Sequence, residues 1–142
     1  KARSQTGPKR HSYCVSGSFN SWQPEEMVPD SERPGVFHFA GGVLGPRRQE
    51  KFTVLVDGDP GLAFYPEAPG SCPPGESIVR GPGKVDEDRC FLLASLKANA
   101  AFEIVLDLTT ADKRRTVDVK WPSGRVDHGS MKDTFLHFFR AA

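Results

Sequence analysis

Apolar and polar side chains alternate along several short runs of this chain, most clearly at 51–57. In that run the apolar residues Phe52, Val54 and Val56 occupy every second position. Successive side chains of a β-strand point to opposite faces, so this spacing predicts a strand with one buried face. Aspartate, glycine and proline dominate positions 57–61, which predicts a turn directly after the strand.

The same period recurs in two neighbouring runs and predicts a β-hairpin. One run has its apolar face at Phe102, Ile104, Leu106 and Leu108, and the other at Val117, Val119 and Trp121. Residues 109–115 between them are mostly polar or charged, as expected of a connection. Trp121 keeps step with the two valines, so we expect it to pack in the core rather than to contact a ligand.

Weaker alternation predicts further short strands. They lie at about 12–16, 36–40, 62–65 and 90–96, and one short edge strand is expected within a long surface loop at 66–88. The glycine- and proline-rich connections are too short for crossover helices, which favours antiparallel pairing. The fold class that follows is all-β: an immunoglobulin-like antiparallel β-sandwich that requires no central disulfide.

The end of the chain has a helical period instead. Met131, Phe135, Phe138 and Phe139 fall at i, i+4, i+7 and i+8, which is one stripe of a helix. This stripe predicts a short amphipathic C-terminal helix over about 131–140. It either folds back onto the sandwich or, if it is left exposed, marks a docking site for a partner protein.

Length and composition fit one domain with short extensions. We divide the 142 residues into a basic N-terminal arm at 1–11, a β-sandwich binding module at 12–122 and a C-terminal extension at 123–142. The 19 basic and 18 acidic residues are interspersed, and a net charge of +1 argues against nucleic acid, which requires a concentrated basic face. No apolar run approaches the roughly 20 residues of a membrane-spanning helix. The subcellular compartment is left open.

The residues that usually carry chemistry show no reactive arrangement. Cys14, Cys72 and Cys90 are widely spaced and form no Cys-x-x-Cys, so neither a disulfide scaffold nor a zinc site is indicated. We expect Cys14 and Cys90 to be buried, and one disulfide with a leftover thiol stays an alternative. The histidines lack metal-ligand spacing, and no nucleotide-binding fingerprint or nucleophile elbow occurs. We therefore expect a protein that is not an enzyme and that holds no cofactor or metal.

The stretch at 13–22, Tyr-Cys-Val-Ser-Gly-Ser-Phe-Asn-Ser-Trp, is the most informative part of the chain. Its first residues alternate as in a strand, Gly17 ends that strand, and Asn20 supplies turn chemistry. Trp22 emerges from the bend, and we expect its indole to lie outward at the rim of the sandwich. A flat aromatic surface in that position is suited to stacking on the C–H face of a sugar ring.

Three strings together resemble family-48 carbohydrate-binding modules, among them the glycogen-binding module of AMP-activated protein kinase β-subunits. They are Gly-Ser-Phe-Asn-x-Trp at 17–22, Val-Asp-Gly at 56–58 and Tyr-Pro at 65–66, and the likeness covers about residues 12–93. The resemblance implies a non-catalytic module that binds an α-glucan or a related glycan. It also implies site residues: Trp22 as the stacking platform, with Lys51, Thr53 and Tyr65 as assisting contacts.

The chain departs from the family's pattern at three contacts. The family's lysine position falls on Thr53, although Lys51 lies two residues away on the same face of the strand. The second tryptophan of the family would fall at 59–60, where this chain has Asp-Pro, and Phe64 or Tyr65 is the candidate to replace it. The family's asparagine would fall at 84–89, which contains none. The last two departures favour an alternative function: an accessory subunit that keeps the sandwich, does not bind sugar, and docks a partner protein, with the C-terminal aromatic stripe as the contact.

Overall fold

The computed structural model describes residues 10–85, 88–97 and 99–122, and these form two β-sheets around one core. In chain order the strands are β1 (Tyr13–Gly17), β2 (Glu25–Glu26), β3 (Val28–Pro29), β4 (Val36–Val43), β5 (Gln49–Val56), β6 (Ala63–Pro66), β7 (Ser71–Cys72), β8 (Val79–Gly83), β9 (Cys90–Ala94), β10 (Ala101–Asp107) and β11 (Val117–Lys120). Short 3₁₀ helices lie at Ser18–Asn20 and Lys113–Arg115. The predicted all-β architecture of two sheets is confirmed.

The first sheet has seven strands and the second has four. The first sheet has the order β2-β1-β5-β6-β8, with β9 pairing with β5 and β7 pairing with β9. The second sheet has the order β11-β10-β4-β3. The pairings are antiparallel except that of β7 with β9, which is parallel, so the expectation of purely antiparallel pairing is wrong at this point. The two residues of β7 reach β9 after a long loop, which allows either direction.

The run at 51–57 forms the centre of the first sheet. β5 pairs with β1 along one edge and with β6 and β9 along the other. Phe52, Val54 and Val56 are buried, as the alternation predicted. Full burial of such side chains contributes about 1.5–3 kcal/mol each, which explains why this strand defines the register of its neighbours.

The predicted hairpin forms the edge half of the second sheet. β10 pairs with β11 and, on its other side, with β4. Trp121 is half-buried and packs edge-to-face against Phe102, with ring centroids 6.4 Å apart. Leu108 was expected on the apolar face of this strand, but it lies past the end of β10 and is 37% exposed. The strand ends at Asp107, whose carboxylate accepts a hydrogen bond from the backbone N–H of Thr109 at 2.8 Å and starts the turn.

The inner faces of the two sheets meet in a single apolar cluster. The first sheet supplies Val15, Phe52, Val54, Val56, Phe64, Phe91 and Leu93, and the second supplies Phe102, Ile104, Leu106 and Val117. Met27 joins this cluster from the short link between β2 and β3, where the chain passes from one sheet to the other.

Several other expectations have a clear outcome. The stretch at 66–88 contains two strands, β7 and β8, rather than one edge strand. The three cysteines are free, so the disulfide alternative is wrong, and Cys14 and Cys90 are buried as expected. The C-terminal helix predicted at 131–140 lies outside the described residues. Within the described ranges, no helix has both the length and the apolar character needed to cross a membrane.

Candidate functional site

A tight turn after β1 positions the first candidate residue, and it requires Gly17. A Cβ atom at Gly17 would lie 2.6 Å from the carbonyl oxygen of Lys51 and 2.6 Å from the ring of Phe19. Only glycine lets the backbone pass so close to both. The backbone N–H of Trp22 donates to the carbonyl oxygen of Gly17 at 2.8 Å, which closes the turn over Ser18–Asn20.

Asn20 and Phe19 hold this turn in place. The Oδ1 of Asn20 accepts a hydrogen bond from the N–H of Gly17 at 2.9 Å, and its Nδ2 donates to the carbonyl oxygen of Val15 at 3.2 Å. Phe19 anchors the turn to the core by packing edge-to-face on Phe102, with ring centroids 5.1 Å apart. The string Gly-Ser-Phe-Asn therefore forms one unit that fixes the direction of the chain as it enters the tryptophan.

Trp22 points away from the core. Ser21 and Trp22 have left-handed φ angles of 57° and 59°, a conformation that residues other than glycine seldom adopt. The hydroxyl of Ser16 donates to the carbonyl oxygen of Trp22 at 3.0 Å, so the backbone is fixed there. The side chain is nevertheless 47% exposed, and its indole lies outward as the turn chemistry predicted.

A shallow groove lies beside the indole, on the outer face of the first sheet. Its volume is about 270 Å³. The residues that line it include Trp22, Pro24, Thr53, Leu55, Pro60 and Val85. Ser16 of β1 lies opposite Thr53 of β5, so their side chains share this face. The groove therefore places an exposed aromatic ring next to a surface that is mostly apolar.

More side chains on the outer face of the first sheet are buried than the alternation of apolar and polar residues predicts. Cys14, Ser16 and Leu55 are buried although they point away from the core. The turn after β5 packs near Cys14 and Pro24: a Cβ atom at Gly58 would lie 3.9 Å from the sulfur of Cys14 and 4.0 Å from Pro24. The groove is thus built by a crossing of loops that no single strand pattern encodes.

The turn at 57–61 contributes Pro60 to the lining of the groove. The N–H of Asp59 donates to the carbonyl oxygen of Val56 at 3.0 Å, and its Oδ1 accepts from the N–H of Gly61 at 2.8 Å. These hydrogen bonds stabilise the turn, and Pro60 within it lines the groove. At this turn a proline ring provides apolar surface to the groove.

The other predicted site residues are only partly brought together. Thr53 lines the groove with Trp22. Lys51 lines a neighbouring depression of about 350 Å³ instead. Tyr65 is half-buried on β6 opposite Arg80 and lines neither depression. Phe64 is 6% exposed and belongs to the core, so it is wrong as a replacement for the second tryptophan. The docking residues Met131, Phe135, Phe138 and Phe139 lie outside the described residues.

Sequence reasoning missed every groove residue other than Trp22 and Thr53, and three of the missed residues lie in loops. Pro24, Pro60 and Val85 come from three different loops. The only signal for any of them was the position of Pro60 inside a turn that follows a confident strand. Their meeting depends on tertiary packing, which local pattern does not report.

The ionisable groups near the groove have structural roles. The carboxylate of Asp57 accepts from the N–H of Ser12 at 2.9 Å and lies 2.9 Å from the Nδ1 of His11. The bond with His11, followed by the one with Ser12, lowers the pKa of Asp57. Burial raises the pKa of Cys14, and the negative charge of Glu26 adds to this shift, which disfavours the reactive thiolate.

A cluster of ionisable groups lies on the second sheet, away from the groove. The Nε2 of His38 lies 2.8 Å from the carboxylate of Asp30, and its Nδ1 lies 2.7 Å from that of Glu103. The hydrogen bond from His38, together with the backbone N–H groups of Glu32 and Arg33, lowers the pKa of Asp30 to about 2. Because the ring nitrogens point to opposite sides, the cluster ties β4 to its neighbours rather than forming a chelating site.

A larger cleft lies where the N-terminal arm meets the β3–β4 turn. Its volume is about 820 Å³, and its lining includes Arg10, Tyr13, Arg33, Phe37 and Leu108. It contains none of the predicted site residues, and the arm that borders it continues into residues outside the described ranges. Size alone therefore does not make it the candidate site.

Comparison of this chain with protein-family models, with curated proteins and with solved structures finds no match.

Proposed function

We propose that this protein is a non-catalytic carbohydrate-binding module that recognises an α-glucan or a related glycan. The observation that carries the proposal is the exposed indole of Trp22, held by a hydrogen-bonded turn above a shallow groove. A sugar ring presents a flat C–H face that packs on such an aromatic plane. Thr53 adds one hydroxyl beside the ring, and Lys51 and Tyr65 lie farther along the same sheet.

The fold that we propose for the module is immunoglobulin-like. Two sheets of mainly antiparallel strands pack over one core, and the three cysteines are free, so no inter-sheet disulfide contributes. The resemblance to family-48 modules supports the same assignment. In such a sandwich the loops at the rim present the ligand contacts, which is where the Trp22 turn lies.

One stacking surface with few polar contacts implies weak binding. Small-ligand sites usually combine apolar walls with a few polar groups that fix orientation. Here the hydroxyl of Ser16 is already bonded to the carbonyl oxygen of Trp22, which leaves Thr53 as the nearest available hydroxyl of the groove. Useful affinity would then come from several modules or from tethering to a partner.

The test is calorimetric titration with maltoheptaose and β-cyclodextrin. We expect wild type to bind both weakly and Trp22→Ala to lose binding. Val28→Ala is the matched control, because Val28 is 64% exposed and lies on the second sheet. Absence of binding by wild type, or binding that survives in Trp22→Ala, would contradict the proposal.

The apolar character of the groove favours a second function, docking of a protein. Pro24, Pro60, Leu55 and Val85 offer a surface that suits an apolar side chain of a peptide as well as a sugar. In that case the sandwich is an accessory subunit, with the C-terminal aromatic stripe as a further contact. The two functions separate by experiment: Phe135→Ala and Phe138→Ala would disrupt a complex with the partner and leave glucan titrations unchanged.

A further inference from the structure

The depression lined by Lys51 and the groove lined by Trp22 are separate, but β5 contributes a residue to each. Lys51 and Thr53 lie two residues apart on one face of the strand, which places them about 7 Å apart. Thr53 lines the groove, whereas Lys51 lines the depression of about 350 Å³ together with Ser18, Arg47, Gln49 and Glu50. A ligand longer than one sugar ring is long enough to contact both Thr53 and Lys51. This step depends on the proposed function.

Two cations, Arg47 and Lys51, and one carboxylate, that of Glu50, line the depression, so the charge of its lining is positive on balance. Both carboxylate oxygens of Glu50 are engaged, one by the hydroxyl of Ser18 at 2.7 Å and the other by the N–H of Gly45 at 2.9 Å. Arg47 and Lys51 are exposed. Among residues 10–85, 88–97 and 99–122, neither of them forms an ion pair with a carboxylate.

Neighbouring residues increase the positive charge at this end of the sheet. Arg48 follows Arg47 along the chain and adds a third cation, whose Nη1 donates to the carbonyl oxygen of Leu96 at 3.0 Å. The side chain of Gln49 adds an amide to the lining. Guanidinium and ammonium groups bind oxyanions strongly, and arginine does so through two parallel hydrogen bonds.

We propose that the glycan bound at Trp22 carries an oxyanion substituent, which binds between Arg47 and Lys51. A neutral glucan offers these two cations hydroxyl acceptors but no charge to balance them. A carboxylate, sulfate ester or phosphate ester on the sugar next to the stacked ring supplies that charge. The preferred ligand is therefore an acidic derivative of the proposed glycan, which binds more tightly than its neutral form.

The test compares neutral maltoheptaose with its carboxymethylated, sulfated and phosphorylated derivatives by calorimetry at low ionic strength. Charge-assisted hydrogen bonds predict that at least one derivative binds about tenfold more tightly than the neutral sugar. The double variant Arg47→Ala/Lys51→Ala should abolish this gain, so that it binds the neutral sugar and its charged derivatives with equal affinity. The derivative with the largest gain identifies the chemical source of the oxyanion. Added salt should weaken the gain, because exposed charges are screened.

A double variant with the same change of charge elsewhere is the control. Lys113→Ala/Lys120→Ala removes two exposed cations near or on β11 and should keep the full gain. Equal affinity for neutral and charged sugars, or a gain that survives in Arg47→Ala/Lys51→Ala, would overturn the inference and leave the glucan proposal intact. Charged sugars that bind Trp22→Ala as well as wild type would overturn both, since ion pairing without stacking would then account for the binding.

Discussion

The two tryptophans of this chain lie in different surroundings, one exposed at the surface and the other packed against the core. Trp22 follows a glycine and a 3₁₀ turn in the first sheet, has a left-handed backbone, and is 47% exposed. Trp121 follows β11 in the second sheet, continues its alternation, and packs on Phe102. The difference shows that the local period of the chain, more than the residue type, decides whether an aromatic ring becomes core or surface.

Removing the ring beneath Trp121 should have the largest effect. Phe102 is 1% exposed and contacts both Trp121 and Phe19. Phe102→Ala should lower the free energy of unfolding by about 3–5 kcal/mol, because it leaves a cavity in the core. Urea denaturation measures this loss. Val43→Ala, a change at a 48% exposed position of the same sheet, should stay within about 0.5 kcal/mol of wild type. A loss below about 1 kcal/mol for Phe102→Ala would place that ring outside the core.

The turn that carries Trp22 should be sensitive to one added methyl group. In Gly17→Ala the new Cβ would meet the carbonyl oxygen of Lys51 and the ring of Phe19, each at 2.6 Å. We expect a loss of about 1–3 kcal/mol in the free energy of unfolding, together with weaker glucan binding. The matched control is Gly83→Ala, where a Cβ meets nothing within 4 Å. Equal stability of the two variants would show that the close approach at Gly17 does not constrain the turn.

Acid should weaken the second sheet through Asp30, with a smaller effect. The folded state lowers the pKa of Asp30 from 3.8 to about 2, so the ionised carboxylate stabilises the fold above pH 3.8. That contribution is lost as the pH falls from about 4 to about 2. Urea denaturation across this range should show a steeper decline for wild type than for Asp30→Asn. Glu32→Gln, which removes an exposed carboxylate of the same turn, should decline like wild type. Equal slopes for wild type and Asp30→Asn would contradict the account.

The strands could be predicted where the alternation was strong. The burial of Phe52, Val54 and Val56, the hairpin of β10 with β11, and the packed position of Trp121 all follow from a period of two. The direction of Trp22 was also predictable, because glycine and asparagine encode a turn locally. These are features in which neighbours along the chain are the physical cause.

The rest of the site depends on contacts between distant segments. Pro24, Pro60 and Val85 meet only after three loops have folded over the first sheet. β8 contains Gly81-Pro82-Gly83, which has the composition of a turn, and it becomes a strand by pairing with β6. Gly81 is needed there because its backbone lies against the carbonyl group of Ala63. Neither the meeting of the groove residues nor the pairing of β8 can be predicted from a local sequence pattern.

The most direct measurement follows both indole N–H signals by NMR during titration with maltoheptaose, with Trp22→Phe used to assign them. The account predicts that the Trp22 signal shifts with increasing sugar and saturates, while the signal of Trp121, packed on Phe102, stays in place. A Trp22 signal that does not move, or a shift confined to Trp121, would contradict the claim that the outward indole is the platform for a sugar.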